Sequence, residues 1–392
     1  MKQELKQAIA AVEQDVIAWR RHMHMHPELT FHELETAKYI YGQLSELKNL
    51  ELKQLTPNSV QALLKGGKPG KRIALRADID ALPVTEDSGE PFSSTKPGVM
   101  HACGHDSHAA MLMGAAKVLS QMQDQIAGEV LFIFQHAEEV PPGGAQDLVD
   151  LGVLDGVDMI FGLHVFPNIP TGEVMLKEGV FCASSDNFDI TIKGCGAHGS
   201  MPHLSIDPIA VGSEFVSAVQ SVVSRRLDPL LAPVVTVATF QAGDSYNVIP
   251  STAKLAGTIR THDKAVREKA PKLFEQTLAG ICAAYGAEYE LEWTRGYAVG
   301  VNTKDACDIA TDVIATYLED TEFKTMPAPM FGAEDFSAYL EKVPGCFIFV
   351  GSRNEKIGAV HGLHNPQFKL DEEAMKTGVS MHVSLIHKLL MS

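Results

Sequence analysis

Along the first 25 residues apolar side chains recur every three or four positions, at Leu5, Ile9, Val12, Val16, Trp19 and Met23. That period lines one face of an amphipathic helix, and Pro27, which cannot continue it, ends it. Further on the pattern changes to short unbroken apolar runs, "RIALRADIDALPV", "GEVLFIFQHAEE" and "DMIFGLHVFP", which stop abruptly at charged or imidazole side chains. Unbroken runs of this length predict strands buried on both faces of an α/β sheet. Met111, Ala115, Val118, Leu119 and Met122 keep a helical period between them. Open α/β sheets bind ligands beyond the carboxyl ends of their strands. Here those ends carry Asp78 and Asp80, then His136, Glu138 and Glu139, then His164.

From about Asn187 the texture shifts. "NFDITIKG" reads as a strand and "IDPIAVGSEFVSAVQSVVSRR" as a helix. "PVVTVATFQAG" and "TAKLAGTIRT" read as strands, "AVREKAPKLFEQTLAGICAAYG" as a helix and "EYELEWTR" as a strand. The order β-α-β-β-α-β is the ferredoxin-like pattern. After about Gly300 helix and strand signals resume, ending in "CFIFVG", the loop "HGLHNPQF" and a terminal helix. The expected architecture is therefore two-domain α/β. Residues 1–186 and 298–392 form a domain around a central sheet, interrupted by a ferredoxin-like α+β domain over 187–297.

Composition narrows the function. With 392 residues, 45% of them hydrophobic, the chain can bury two cores. A formal charge of −16 argues against nucleic acid or an anionic membrane as partner, and any anionic substrate needs a local cation. The opening segment mixes charge into its apolar positions, so neither a signal peptide nor a transit peptide is expected. No run is long enough to span a membrane. Cys103, Cys182, Cys195, Cys282, Cys307 and Cys346 are scattered without paired spacing, which predicts reduced thiols and a cytoplasmic location.

The densest chemistry lies in "MHACGHDSH". Cys103 and His105 flank a glycine in a loop, where both can turn toward one metal ion. A buried thiol beside a helix capped by Asp106 or Ser107 would explain the stretch as well. Glu138 and Glu139 directly follow an apolar run and precede the turn signal "PPGG". Adjacent carboxylates there suit a cation held by one and proton transfer by the other. His164 stands in an apolar run, where a core histidine is the ordinary reading, and His361 and His364 are loop residues. In "HMHMHPE" only His22 and His26 would share a helical face, so a structural helix terminus is expected rather than a metal site.

"MHACGHDSHAAMLMGAA", "HAEEVPPGGA", "GLHVFP", "FGAEDFS" and "HGLHNPQF", in this order, resemble the amidohydrolase branch of the M20 metallopeptidase family. The likeness runs from "RRHMHMHPELTFHE" to the C-terminal histidine loop. It implies two divalent metal ions, manganese, zinc, nickel or cobalt, held by Cys103, His105, Glu139, His164 and His364, with Glu138 as general base and acid. Asp78 and Asp80 of "RADID" align with a His-x-Asp motif of other branches. The histidine is replaced here, so Asp80 is expected to orient a ligand, with Asp78 beside it.

The same resemblance makes the insert a lid and dimerisation domain, hence a homodimer. It also carries His198 to the oxyanion and Asn247 and Arg260 to the carboxylate end of the substrate. The implied reaction is hydrolysis of the amide of an N-acyl amino acid by metal-activated water. A dipeptidase or carboxypeptidase of the same superfamily, a non-catalytic metal-binding protein, and a thiol enzyme centred on Cys103 are the rival readings.

Overall fold

The computed structural model describes residues 2–231 and 233–391. Contacts divide the chain into two compact units: residues 1–181, 301–328 and 335–392, and residues 182–300 with 329–334.

The larger unit is built on an eight-stranded sheet. In spatial order its strands are Leu50–Lys53, Val60–Lys65, Ala127–Gln135, Lys68–Asp78, Met159–Pro170, Gly345–Arg353, Glu173–Leu176 and Glu322–Thr325. The four central strands run parallel, and Asp78 lies opposite Gln135 while His164 lies opposite Phe349. Their apolar runs are buried on both faces, which is why they read as continuous rather than alternating. Parallel register also brings the polar ends of the strands to one edge of the sheet.

The helix His105–Ser120 follows directly from the cysteine loop and is buried along all but one of its residues, Lys117. It packs against the helices Glu13–Met25 and Glu373–Leu390. The helix begins on Gly104, not on an Asp106 or Ser107 cap. Gly104 has φ +85, and a Cβ there would stand 2.6 Å from a Val165 methyl, so only glycine fits the turn between Cys103 and His105. The amphipathic N-terminal segment is two helices, Lys2–Ala11 and Glu13–Met25, broken at Val12, and its six apolar positions are all buried.

The "HMHMHPE" stretch ends the second helix, and its middle histidine is an interior residue. His24 Nδ1 lies 2.8 Å from Asp106 and its Nε2 3.1 Å from Glu86, while Arg20 Nε donates to the same Asp106 oxygen at 2.9 Å. His22 instead stacks on Tyr39 and faces His26 edge-on. The buried quartet ties the N-terminal helix to the residue that follows His105.

The smaller unit has the ferredoxin-like order expected. Its antiparallel sheet runs Val234–Gln241, Thr252–Thr261, Ser184–Lys193, Glu288–Arg295, covered by the helices Pro208–Ala218 and Lys264–Tyr285. Asp207 and Asp263 cap these helices by accepting from Ile209 N and Val266 N. The first helix stops short of "SVVSRR", which forms a separate π-helical turn over Val222–Arg226. Phe188, Phe215 and Phe274 centre the core, and a buried two-point pair of Asp186 with Arg267 closes one end. Among the described residues no helix is long and apolar enough to cross a membrane, and all six cysteines are free.

The His24 quartet predicts a definite pH signature. Burial alone would lower the His24 pKa, but Asp106 and Glu86 outweigh it and raise it above 6.5. Burial would raise Glu86, but hydrogen bonds from His24, Ser88 and Ser94 bring it down to about 2. The His24 contribution is complete below its unfolded pKa of about 6.5 and is lost as pH rises through the folded value. The Glu86 contribution is complete above about 4.5 and is lost as pH falls toward 2. His24→Gln should therefore cost about 3 kcal/mol near pH 6. Urea unfolding should show the deficit shrinking at pH 9.

Candidate metal centre

The cysteine loop, the loop after Ala127–Gln135, the C-terminal histidine loop and His164 within the strand Met159–Pro170 bring the candidate site residues of the larger unit together. Cys103, His105 and His164 offer ligand atoms all within 4.8 Å of one another; so do Cys103, Glu139 and His364, and so do His105, Glu138 and Glu139. The three triads overlap, so all five expected ligands and Glu138 form one cluster. His364 N donates to Ala102 O at 2.8 Å, which ties the C-terminal histidine loop to the cysteine loop.

His105 and His164 each have one nitrogen committed and the other turned into the cluster. His105 Nδ1 lies 3.0 Å from Asp80 Oδ1. Its Nε2 is buried without a hydrogen-bond partner, 3.8 Å from Glu139 Oε1, which is also buried and unpartnered. His164 Nδ1 donates to Val165 O at 2.5 Å, leaving Nε2 3.4 Å from Cys103 Sγ. His364 Nε2 lies 3.4 Å from Glu139 Oε2. A second partner that fixes the tautomer is what a metal-bound imidazole requires.

His108 lies one helical turn beyond His105 but is held differently. Val165 N donates to its Nε2 at 2.9 Å, so its Nδ1 carries the proton and donates to Asp78 Oδ1 at 2.6 Å. Both nitrogens are used, which makes His108 a support for Asp78. Asp78 also accepts from Arg76 Nη1 at 2.6 Å, and Arg76 Nη2 reaches Asp335 at 2.6 Å. Asp335 further accepts from Gln135 and from Ala145 N. Asp80 Oδ2 accepts from Thr30 Oγ1 at 2.8 Å and from Glu139 N at 3.0 Å. Of these supports, Asp78 and Asp80 were expected from sequence. Arg76, His108, Gln135 and Asp335 were not, although the i, i+3 spacing of His105 and His108 was a visible signal.

The electrostatics are those of a site short of positive charge. Burial would lower the His105 pKa, but Asp78, Asp80 and Glu139 push it up to about 10. Burial and then the carboxylates of Glu139, Glu138 and Asp78 hold the Cys103 thiol well above its ordinary value. Burial keeps His164 neutral, with its pKa well below 6.5. A divalent cation relieves all of this at once: it gives the two orphaned atoms a partner and offsets the carboxylates. It also converts the thiol to the thiolate that such ions prefer. The donor set therefore fits one or more divalent ions of the first transition row.

The expected substrate residues lie in the smaller unit. His198 belongs to a two-residue strand, Ala197–His198, paired with Val248–Ile249, and its Nδ1 accepts from Ser200 N at 3.1 Å. Asn247, also exposed, accepts from Gly199 N through its backbone carbonyl at 2.8 Å and from Ser245 through its side chain. Both line an open groove of about 890 Å³. Arg260 stands apart on the strand Thr252–Thr261. Its side chain is half-buried and makes no hydrogen bond or ion pair among the described residues, and burial lowers its pKa.

Residues 74–388 match the model of "Peptidase family M20/M25/M40". The chain is 47% identical over 301 residues to an N-acyl-L-amino acid amidohydrolase of Geobacillus stearothermophilus, covering 77% of this chain and 81% of that one. It is 38% identical over 390 residues to thermostable carboxypeptidase 2 of Saccharolobus solfataricus, covering 98% of each. A crystal structure of a dinuclear metal-binding M20 peptidase from Bacillus subtilis superposes with a TM-score of 0.82 at 38% identity, covering 96% of this chain and 98% of that one.

Because His105 and Cys103 hold protons that a metal must displace, apparent affinity for manganese or zinc should rise from pH 6 to pH 8. Calorimetric titration in buffers of different ionisation enthalpy should register proton release. Asp80→Asn, which takes the anion from behind His105, should weaken metal affinity by about 10–100-fold. Equal affinity in wild type and variant would remove Asp80 from this role.

Proposed function

The chain belongs to peptidase family M20/M25/M40 and is a metal-dependent amidohydrolase, and on that premise we propose that it hydrolyses the amide of N-acyl amino acids at a two-ion centre. The observation that carries the proposal is the buried pair of orphaned atoms, His105 Nε2 and Glu139 Oε1, with Glu138 in the same triad. In this reading Cys103, His105, Glu139, His164 and His364 hold the ions. Bound divalent ions polarise an acyl carbonyl and acidify water toward neutral pKa, and that is the chemistry they supply here.

The chain's own groups carry the protons. Glu138 takes one from the attacking water and returns it to the nitrogen of the departing amino acid, a role for which a carboxylate in hydrogen-bond reach of the reacting atoms is suited. Asp80 keeps His105 turned inward, and Arg76 with His108 keeps Asp78 ionised beside it. Cys103 is a ligand in this account. Burial among carboxylates disfavours the free thiolate that a nucleophilic cysteine needs.

Arg260 is proposed to receive the substrate carboxylate. A half-buried guanidinium whose nearest named anion, Asp186, is already committed to Arg267 suits a two-point contact with a carboxylate, and it explains how an acidic protein accepts an anionic substrate. His198 is proposed to steady the oxyanion and Asn247 to contact the same end of the substrate as Arg260, on the strength of the family resemblance. The smaller unit is proposed as the lid and the homodimer contact.

A carboxypeptidase reading is favoured by the Saccharolobus relative. A panel of N-acetyl-, N-benzoyl- and N-aminoacyl-amino acids separates the two. Metal-reconstituted protein should turn over the acylated substrates faster than dipeptides, and the reverse ranking would establish the peptidase reading. Glu138→Ala should lower kcat by about 10²–10⁴-fold while retaining metal. Arg260→Lys should raise KM far more than it lowers kcat.

A further inference from the structure

The segment "PELTFHE", residues 27–33, has no part in the reaction as described, yet it ends in a fully buried carboxylate. Glu33 is 0% exposed. Its Oε1 accepts from two backbone amides, Phe31 N and Ala137 N, both at 2.9 Å, and its Oε2 accepts from Asn58 Nδ2 at 3.0 Å. Both amide donors belong to non-glycine residues in the left-handed region, Phe31 with φ +66 and Ala137 with φ +53. L-residues adopt that conformation rarely, and it persists only where the surroundings impose it.

Ala137 immediately precedes Glu138. Its carbonyl accepts from Gly144 N at 2.8 Å, and Gly144 sits so close that a Cβ there would come 2.0 Å from His136 O. Two residues on, Glu139 N is held by Asp80 Oδ2, which Thr30 of the same segment also binds. The backbone carrying Glu138 and Glu139 is thus held at successive points by buried carboxylates from outside its own strand. A turn of this kind lets two adjacent glutamates point to different tasks, since in an extended chain their side chains would simply alternate.

We propose that Glu33 is a positioning residue for Glu138: by accepting the Ala137 amide it holds the left-handed turn that aims the general base into the metal cluster. The Glu33 carboxylate itself is taken up by Phe31, Ala137 and Asn58, so it acts through the backbone. The inference rests on the role of Glu138 argued above. Burial, then the nearby Asp80, push the Glu33 carboxyl up to about 7, and Glu33→Gln keeps the shape and the acceptor oxygen that the Phe31 and Ala137 amides need, giving up only the bond from Asn58.

The test compares Glu33→Ala, Glu33→Gln and the double variant Glu33→Ala/Ala137→Gly in the full chain loaded with manganese, with metal content and thermal melting recorded for each. Misplacing a catalytic group by about 1 Å costs about 100-fold in rate. Glu33→Ala should therefore lose on the order of that in kcat, with KM and metal content within about threefold. Glu33→Gln should stay within about threefold of wild type. Glycine adopts the left-handed turn without penalty, so the double variant should recover about tenfold.

Independently of turnover, amide exchange over residues 136–144 in metal-stripped protein should be slow in wild type and fast in Glu33→Ala. If Glu33→Ala does not fold, Glu33→Asp, which keeps the charge but not the reach, should show the same kcat loss and the same faster exchange. A lowered melting temperature with kcat and exchange unchanged would overturn the proposal and leave Glu33 a merely structural residue. Absence of turnover in wild type would instead count against the amidohydrolase reading, and the exchange comparison would still decide the role of Glu33.

Discussion

The structure of the larger unit is organised around an excess of carboxylate in a place with little water. Asp78, Asp80, Glu138 and Glu139 converge at the carboxyl ends of the strands Lys68–Asp78 and Ala127–Gln135, where Asp335 joins them through Arg76 and Gln135, all of them buried or nearly so. Buried charge of one sign is tolerated only where it is paired or neutralised. Arg76, itself inaccessible, answers Asp78 and Asp335 together. His108 and His105 answer the rest in part, at the cost of a His105 pKa of about 10. What is still uncompensated, His105 Nε2 facing Glu139 Oε1, is where a cation belongs.

That constraint explains features that look unrelated. Gly104 is needed because Cys103 and His105 must leave one turn in convergent directions, and a side chain there would strike Val165. The helix Glu13–Met25 is fixed to the start of the site helix by Arg20, His24 and Asp106, so the histidine-rich segment supports the centre without joining it. The left-handed turns at Phe31, Ala137 and His364 all lie in loops that border the cluster. Strain gathers where function demands a geometry that the local sequence does not favour.

Much of the candidate site was legible because the proposed ligand residues interrupt apolar runs. Cys103 with His105, and Glu138 with Glu139, stand directly at the ends of buried elements, where hydrophobic patterning makes a polar residue conspicuous. His164 was ambiguous alone and became a candidate only beside the others. The supports were hidden for a different reason. Arg76 and Asp335 lie 259 residues apart, and Glu33 and Ala137 lie 104 apart. An arginine inside a strand, or a glutamate before a helix, looks like an ordinary surface residue until the chain folds. The alternative reading of a cap at Asp106 or Ser107 does not hold: Asp106 is committed to Arg20 and His24, and Gly104 begins the helix. In the smaller unit the succession of strand and helix patterns made the ferredoxin-like order readable, whereas the π-helical turn at Val222–Arg226 left no mark in periodicity.

We propose that this cluster holds two ions, and anomalous diffraction from crystals of manganese-loaded protein distinguishes two bound ions from one or none. The account predicts two peaks per chain, within bonding distance of donor atoms from Cys103, His105, Glu139, His164 and His364. A single peak, or density elsewhere with His105 Nε2 and Glu139 Oε1 still unligated, would contradict it.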